Sequence, residues 1–208
     1  MSDYQGRVAV VDVAERPVGG RARVGSEDAY KSRIKAMGWA RLRALHERLL
    51  QGRVEGWEPG KAFEYLVLRA FELEGARVTW PYVIDLPFAE TGGETEQIDG
   101  AIFVDGLSCI VETKDTVNAV GIDPIAKMRN QLLRRPSSSV GLVFSRGGFS
   151  PAANTLVRFV APQTILLWKG TEVAHALKHR MFREGLHRKY RRSVEQGLGL
   201  HDLLGKNT

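Results

Sequence analysis

The stretch IDGAIFVDGLSCIVETK, residues 98–114, decides the fold of this chain. It contains two apolar runs rich in β-forming side chains, Ile98 to Val104 and Leu107 to Thr113, and each run is typical of a strand. Asp105-Gly106 joins the runs and is a strong signal for a tight hairpin turn, because glycine reaches positive φ without steric cost. The stretch therefore predicts two neighbouring antiparallel strands.

Three ionisable residues lie at one end of this predicted hairpin. Asp99 opens the first strand and Glu112 and Lys114 close the second, so antiparallel pairing brings all three to the same end of the sheet. Because side chains alternate along a strand, Glu112 and Lys114 share one face. Two neighbouring carboxylates repel each other, and a divalent cation is the usual way to keep both ionised in a partly buried site. Oxygen ligands of this kind predict Mg²⁺ or Mn²⁺.

A metal site of this kind suits hydrolysis of a phosphodiester bond. The cation bridges a phosphate and a water, lowers the pKa of the water and stabilises charge that develops on the phosphate. We expect Lys114 to orient the attacking water; a role as proton acceptor would require a depressed pKa. The alternative is a solvated, salt-bridged strand end. Glu112 interrupts an apolar strand, where an unpaired carboxylate is costly, and this favours a functional site.

The pattern around the hairpin predicts an α/β fold with helices on both faces of a mixed sheet. Residues 1–25 hold one apolar run, Val8 to Val13, which predicts a strand or a loose arm. We expect a helix over Ser26 to Gln51 that bends near Gly38, a helix over Lys61 to Glu74, a strand over Arg77 to Asp85, a helix over Pro124 to Arg135, a strand over Val140 to Phe144, a helix from Ser150-Pro151 to about Val160, and a strand over Thr164 to Trp168.

These residues together resemble the PD-(D/E)xK nucleases, and are closest in pattern to the Mrr-like branch. Asp99 matches the first acid of that motif, and Glu112-Thr113-Lys114 matches its ExK part. Glu64 is similar to the acid that many members carry on the helix before the sheet. The segment Val140 to Ala153 is similar to the strand, glycine turn and helix that follow the motif in the Mrr-like branch. One departure is Ile98, which stands where the motif has proline.

The resemblance implies a restriction-endonuclease-like, three-layer α/β/α core with a mixed central sheet, an N-terminal helical extension and a basic C-terminal helix. The implied domains are residues 1–56, 57–170 and 171–208. The implied catalytic residues are Asp99, Glu112, Lys114, Glu64 and Gln131, and the implied metal ligands are Asp99, Glu112, Thr113 and Glu64. The alternative for Glu64 is a surface carboxylate paired with Lys61 or Arg69, and the alternative for Gln131 is a solvated helix residue.

Charge indicates a polyanionic partner. The chain of 208 residues has 30 Lys and Arg against 24 Asp and Glu, a formal net charge of +6, and DNA is the partner that this balance and the motif favour. The alternative for the basic C-terminal stretch is a solvated helix face. The predicted DNA-binding residues are Lys127, Lys178, Arg180, Arg183, Arg188, Lys189, Arg191 and Arg192.

The remaining features set the functional hypotheses. The longest apolar runs are far shorter than the roughly 20 residues that span a bilayer, so we expect no membrane segment and a cytoplasmic location. The single cysteine, Cys109, excludes an internal disulfide framework. The leading hypothesis is a Mg²⁺-dependent DNA endonuclease, which as a homodimer would have two active sites for the two strands of a duplex. The alternatives are a catalytically silent DNA-binding subunit of a restriction, repair or mobile-element assembly, and a protein interaction domain.

Overall fold

A computed structural model of the chain describes residues 24–52, 54–85, 95–160, 162–197 and 201–205. The predicted strand or arm at Val8 to Val13 lies outside these residues. The helices are α1 (Val24–Lys35), α2 (Trp39–Leu50), α3 (Lys61–Leu73), α4 (Asp123–Leu132), α5 (Pro151–Leu156), α6 (Gly170–His179) and α7 (Phe182–Gln196). The strands are β1 (Arg77–Thr79), β2 (Tyr82–Asp85), β3 (Thr95–Ile98), β4 (Gly100–Val104), β5 (Leu107–Lys114), β6 (Ser139–Ser145) and β7 (Thr164–Lys169).

Five strands form a mixed sheet in the order β1-β4-β5-β6-β7. The β4–β5 pair is the predicted antiparallel hairpin, with Val104 opposite Leu107 at the turn and Gly100 opposite Val111 at the open end. The strands β5, β6 and β7 run parallel, so that Lys114 lies beside Ser145 and Ser145 beside Lys169. The carboxyl ends of these three strands therefore meet at the edge of the sheet where the hairpin opens.

Apolar side chains alternate between the two faces of the sheet and form two cores. On one face, Val111, Phe144 and Trp168 pack with α1, α2, α3, α6 and α7. On the other face, Ile110 and Val143 pack with α4 and α5. The predicted three-layer α/β/α arrangement is confirmed. Glu112 has the same parity as Ile110 along β5, and it therefore points to the α4 side of the sheet.

Two predicted strands are each divided. The run Arg77 to Asp85 breaks at Trp80-Pro81, because proline lacks the N–H that a ladder needs, and β2 instead pairs with β3 in a separate two-stranded sheet. The run Ile98 to Val104 breaks at Asp99, which thus lies between β3 and β4. Gly100 follows it against α3, where an added Cβ would lie 2.6 Å from Leu68 Cδ2.

The C-terminal residues form two helices rather than one, and they belong to the main core. Phe182 at the start of α7 stacks on Trp168 at 5.9 Å between ring centroids and meets Phe71 of α3 edge-on at 5.3 Å. Leu42 of α2 is buried in the same core, so the apolar packing crosses both predicted domain boundaries. Among the described residues, no helix is both long and apolar enough to cross a membrane.

Phe182→Ala tests whether α7 is integral to the fold. Phe182 is fully buried, and the loss of a buried phenyl ring leaves a cavity, so we expect the free energy of unfolding to fall by about 3–5 kcal/mol. The matched control is Phe159→Ala, because Phe159 is 77% exposed, and we expect a change within about 0.5 kcal/mol. Urea unfolding followed by circular dichroism measures both changes. Equal small effects would contradict the placement of α7 in the core.

Candidate active site

A cleft of about 430 Å³ opens at the edge of the sheet where β5 ends. Carboxylates and lysines from α3, the hairpin and α4 line this active-site cleft, and they are Lys61, Glu64, Asp99, Glu112, Lys114 and Lys127. The three acids are all buried, at 1–8% exposure. The structure thus brings together the predicted acids and the predicted lysine.

Asp99 is held by the end of β5. Its Oδ2 accepts a hydrogen bond from the backbone N–H of Thr113 at 2.7 Å and a second one from Thr113 Oγ1 at 3.0 Å. Burial raises the pKa of Asp99 most, and the charge of Glu112 raises it further. Together they outweigh the hydrogen bonds from Thr113, which lower this pKa. The raised pKa means that the site favours a cation near Asp99 whenever its carboxylate is ionised.

Glu112 lies between two lysines. Lys127 Nζ of α4 donates to Glu112 Oε2 at 2.6 Å, and Lys114 Nζ lies 2.6 Å from Oε1. Both oxygens of this buried carboxylate are thus engaged by ammonium groups. The Glu112 carboxylate is therefore neutralised by charge, and a metal ion would have to displace at least one of the two lysines.

Glu64 comes from the other side of the cleft, on α3. Lys61 Nζ contacts both of its carboxylate oxygens, at 2.9 and 3.1 Å. Burial, followed by the charge of Asp99, raises the pKa of Glu64 to about 8 despite this ion pair. Both sequence interpretations are thus partly right: Glu64 pairs with Lys61, and it also turns inward to the cleft.

Lys114 is a cation in this site. Burial acts to lower its pKa, but the contact with Glu112 and the charge of that carboxylate outweigh burial and hold the pKa above its ordinary value. A lysine with a raised pKa does not accept a proton near neutral pH. Lys114 is therefore suited to orient water or neutralise phosphate charge, and not to act as a general base.

The donor set fits a hard divalent cation by chemistry, although its carboxylates are spread apart. Among the described parts of the chain, no three His, Cys, Asp or Glu side chains are grouped closely enough to hold a metal ion. Lysines instead engage the carboxylates of Glu64 and Glu112. Carboxylate oxygens are the ligands that Mg²⁺ and Mn²⁺ prefer, and Glu64, Asp99 and Glu112 line this cleft.

Gln131 does not reach the cleft directly. It is buried, and its Nε2 donates a long 3.5 Å hydrogen bond to the carbonyl of Gln97, a residue of β3 that lines the cleft. Gln131 is thus neither the solvated residue of the alternative nor a group in contact with the acids. Its position favours a supporting role, in which α4 fixes the strand that leads to Asp99.

The predicted DNA-binding residues fall into different positions. Lys189 is wrong as a DNA contact, because its side chain is 1% exposed and its Nζ is bonded to Glu172 and to the carbonyl of His201. Arg183 pairs with Asp105 at the hairpin turn, the end of the sheet opposite the cleft. Lys178 and Arg180 directly precede it, so their position does not support a contact with DNA in the cleft.

The exposed residues further along α7 are engaged in ion pairs within the helix. Arg188 pairs with Glu184, while Arg191 and Arg192 lie near Glu195. Exposed pairs of this kind are weak and exchange readily with water, so these arginines stay available to phosphate. Their predicted role remains a prediction.

Two functional positions were missed or misread in the sequence. Lys61 enters the cleft as the partner of Glu64, and its spacing three residues before Glu64 was a signal for that pair. Lys127 was predicted only as a DNA contact, whereas it binds Glu112 across the sheet–helix interface. No local sequence signal reveals a contact between residues that are 15 positions apart.

Residues 57–177 match the restriction endonuclease family, in the form of its Mrr catalytic domain. The match spans more than half of the chain. The chain belongs to the restriction endonuclease family. The predicted resemblance to the Mrr-like branch is confirmed, and a nuclease-type function is the one this family carries.

Two solved structures are similar to this restriction endonuclease family member. A protein of unknown function, AF1548, is 18% identical, with a TM-score of 0.45 over 65% of this chain and 77% of its own. The MspJI restriction endonuclease in complex with a 27-mer oligonucleotide is 17% identical, with a TM-score of 0.33 over 84% of this chain. The matched part is 36% of the MspJI chain. The comparison with curated proteins finds no match.

The raised pKa of Glu64 predicts a pH dependence of stability in metal-free protein. The folded state holds the proton up to about pH 8, while an unfolded glutamate releases it near its ordinary value of about 4.3. The stability that this group contributes is present below the unfolded pKa and is lost as pH rises towards 8. In the unaltered protein we expect the free energy of unfolding to fall by on the order of a few kcal/mol between pH 5 and pH 8. Glu64→Gln is expected to remove this fall.

Chemical unfolding of the metal-free protein at pH 5 and pH 8 measures this dependence. The matched control is Glu47→Gln on α2, because Glu47 is exposed and its replacement is expected to leave the loss unchanged. If Glu64→Gln retains the full loss of stability between the two pH values, burial of this carboxylate is not the cause.

Proposed function

We propose that the chain is a divalent-metal-dependent endonuclease that hydrolyses phosphodiester bonds of DNA in the active-site cleft. The observation that carries this proposal is Glu112, a 1% exposed carboxylate at the end of an apolar strand. It is flanked by two lysines and lies near Asp99. A buried carboxylate at the end of an apolar strand is costly for stability unless cations compensate it, and a role as a metal ligand would explain why it is there.

The chain's own oxygen atoms would hold the cation. Asp99, Glu112 and Glu64 supply the carboxylates, and Thr113 supports Asp99 through two hydrogen bonds; its own role as a ligand remains a prediction. When bound, Mg²⁺ or Mn²⁺ supplies Lewis acidity and a water of lowered pKa. For these carboxylates to hold the cation, the ion pairs of Glu64 and Glu112 would have to open, and this would free the lysines to meet the substrate.

The lysines carry the rest of the chemistry. Lys114 is 38% exposed and Lys127 43% exposed, so their ammonium groups face the open side of the cleft while Glu112 lies behind them. In this position a scissile phosphate meets two positive charges near the buried acids. Fixed positive groups of this kind stabilise negative charge that grows on phosphate oxygens during hydrolysis.

Glu112→Gln and Lys114→Met test catalysis. Each keeps the size of the side chain but removes one charge, and we expect cleavage of plasmid DNA in Mg²⁺ to fall at least about a hundredfold. Chelation by EDTA is expected to abolish cleavage by the unaltered protein. The control is Glu184→Gln, an exposed acid of α7, which should cleave at the normal rate. Full activity of both cleft variants would contradict the assignment.

Lys127→Ala tests whether the cleft contacts the phosphates. The logarithm of DNA affinity falls linearly with the logarithm of salt concentration. Each phosphate that a lysine neutralises contributes about −0.9 to the slope of that line. We expect Lys127→Ala to make the overall slope about one unit shallower. Lys178→Ala is the matched control, because Lys178 lies near the opposite end of the sheet, and its slope should stay unchanged. Fluorescence anisotropy in EDTA gives both slopes, and the reverse pattern would relocate the DNA surface to α6.

The second candidate is a catalytically silent DNA-binding subunit of a larger DNA-processing assembly. It is favoured by the engagement of Glu64 and Glu112 with lysines and by the absence of a closely grouped set of three ligands in the described residues. Salt-dependent DNA binding without metal-dependent cleavage would select this candidate. A homodimer is the arrangement we propose for cutting both strands, and sedimentation with DNA tests it.

A further inference from the structure

A second cleft of about 280 Å³ adjoins the active-site cleft. Pro59, Gly60 and Asp115 line both clefts, and Asp115 directly follows Lys114. Arg146 belongs to the turn after β6 and lies at the same edge of the sheet, since its backbone N–H donates to the Lys114 carbonyl at 3.0 Å. The second cleft therefore lies directly beside the place where a phosphate at Lys114 would be bound.

The wall of the second cleft is fixed in place by α1. Arg33 Nη1 and Nη2 donate to the carbonyls of Gly56 and Glu55 at 2.9 and 3.3 Å. Tyr30 accepts a hydrogen bond from the backbone N–H of Glu58 at 3.2 Å, and its ring stacks on Trp57. The loop that forms this wall is thus held before any ligand arrives, which lowers the entropic cost of binding.

The two clefts differ in the cations that line them. Among the described residues, three lysines line the active-site cleft beside four carboxylates, namely Lys61, Lys114 and Lys127 beside Glu64, Asp99, Glu112 and Asp115. Among the described residues that line the second cleft, the charged ones are Arg146, Asp115 and Glu58, one cation against two anions. A phosphate finds three ammonium groups in the active-site cleft but only one guanidinium in the second cleft, and that guanidinium is already paired with Asp115, so the second cleft compensates its charge less well.

The second cleft combines apolar walls with a paired donor and acceptor. Leu49, Val54 and Trp57 supply apolar surface. Arg146 Nε binds Asp115 Oδ1, and within the described part of the chain the Nη groups of Arg146 and Oδ2 of Asp115 make no other hydrogen bond. A nucleobase has flat apolar faces and an edge that presents both donors and acceptors, and it matches this arrangement better than a phosphate or a sugar does.

We propose that the second cleft binds the base of an unpaired nucleotide next to the scissile phosphate, with Arg146 donating to the edge of the base and Asp115 accepting from it. A base within a duplex is stacked and paired, so only an unpaired or extruded base enters such a pocket. This inference rests on the proposed nuclease function, and it adds a preference for DNA that contains an unpaired base.

The test uses two short duplexes that differ at one central position. One carries a single unpaired cytidine, and the other carries an abasic residue in its place. Fluorescence anisotropy in EDTA compares their affinities without cleavage. We expect the unaltered protein to bind the duplex with the base at least about five-fold more tightly, the size of one base-edge contact.

Two variants remove the preference by different routes. Arg146→Gln removes the cation from the base edge, and Val54→Trp fills the cleft without changing the Arg146–Asp115 pair, so it decides the case if Arg146→Gln does not fold. Both are expected to bind the two duplexes equally. Arg158→Gln is the matched control, because Arg158 is an exposed arginine that lines neither cleft, and it should keep the preference.

Cleavage in Mg²⁺ separates this inference from the proposed function. Equal affinity of the unaltered protein for both duplexes, or no affinity for either, overturns the base pocket. Cleavage together with equal affinity overturns the pocket and leaves the nuclease function intact. A preference for the base without any cleavage supports the pocket and counts against catalysis. A preference that survives in Val54→Trp places the base elsewhere on the protein.

Discussion

The two hydrogen bonds from Thr113 to Asp99 are the contact on which the rest of the site depends. They join the point where β3 gives way to β4 to the end of β5, and they hold one acid beside the next across the open end of the hairpin. Without them, the charge of Lys127 alone would offset the repulsion of Glu112 and the cost of burial at Asp99. The hairpin therefore supplies both the position of the first acid and the donors that keep it there.

Burial makes the site electrostatically unstable without cations. Three acids at 1–8% exposure are balanced by Lys61, Lys114 and Lys127, and each lysine reaches them from a different element. The site is closed by its own side chains, since the same carboxylates that suit a metal are engaged by ammonium groups. In the proposed function, a divalent ion would take the place of some of these ammonium groups, which would link metal binding to release of lysines.

The sequence predicted the parts of the structure that are governed by local chemistry. Asp105-Gly106 predicted the hairpin, alternation predicted that Glu112 and Lys114 share one face, and the family resemblance implied that Glu64 belongs with the other acids. The parts it did not predict depend on long-range packing. Lys189 belongs to a basic stretch that is typical of a DNA contact, yet its side chain is buried and pairs with Glu172. Pro81 is a local signal for the break in the first strand, whereas the pairing of β2 with β3 in a separate small sheet depends on contacts that are distant in sequence.

The most direct measurement of the metal site is calorimetric titration of Mn²⁺ into the metal-free protein near pH 7, in two buffers with different enthalpies of ionisation. Because burial raises the pKa of Glu64 to about 8, this carboxylate is mostly protonated at that pH. We expect saturable binding with release of protons to the buffer, and loss of binding in Glu112→Gln. Absence of saturable binding, or binding that is unchanged in Glu112→Gln, would contradict a metal site at these carboxylates.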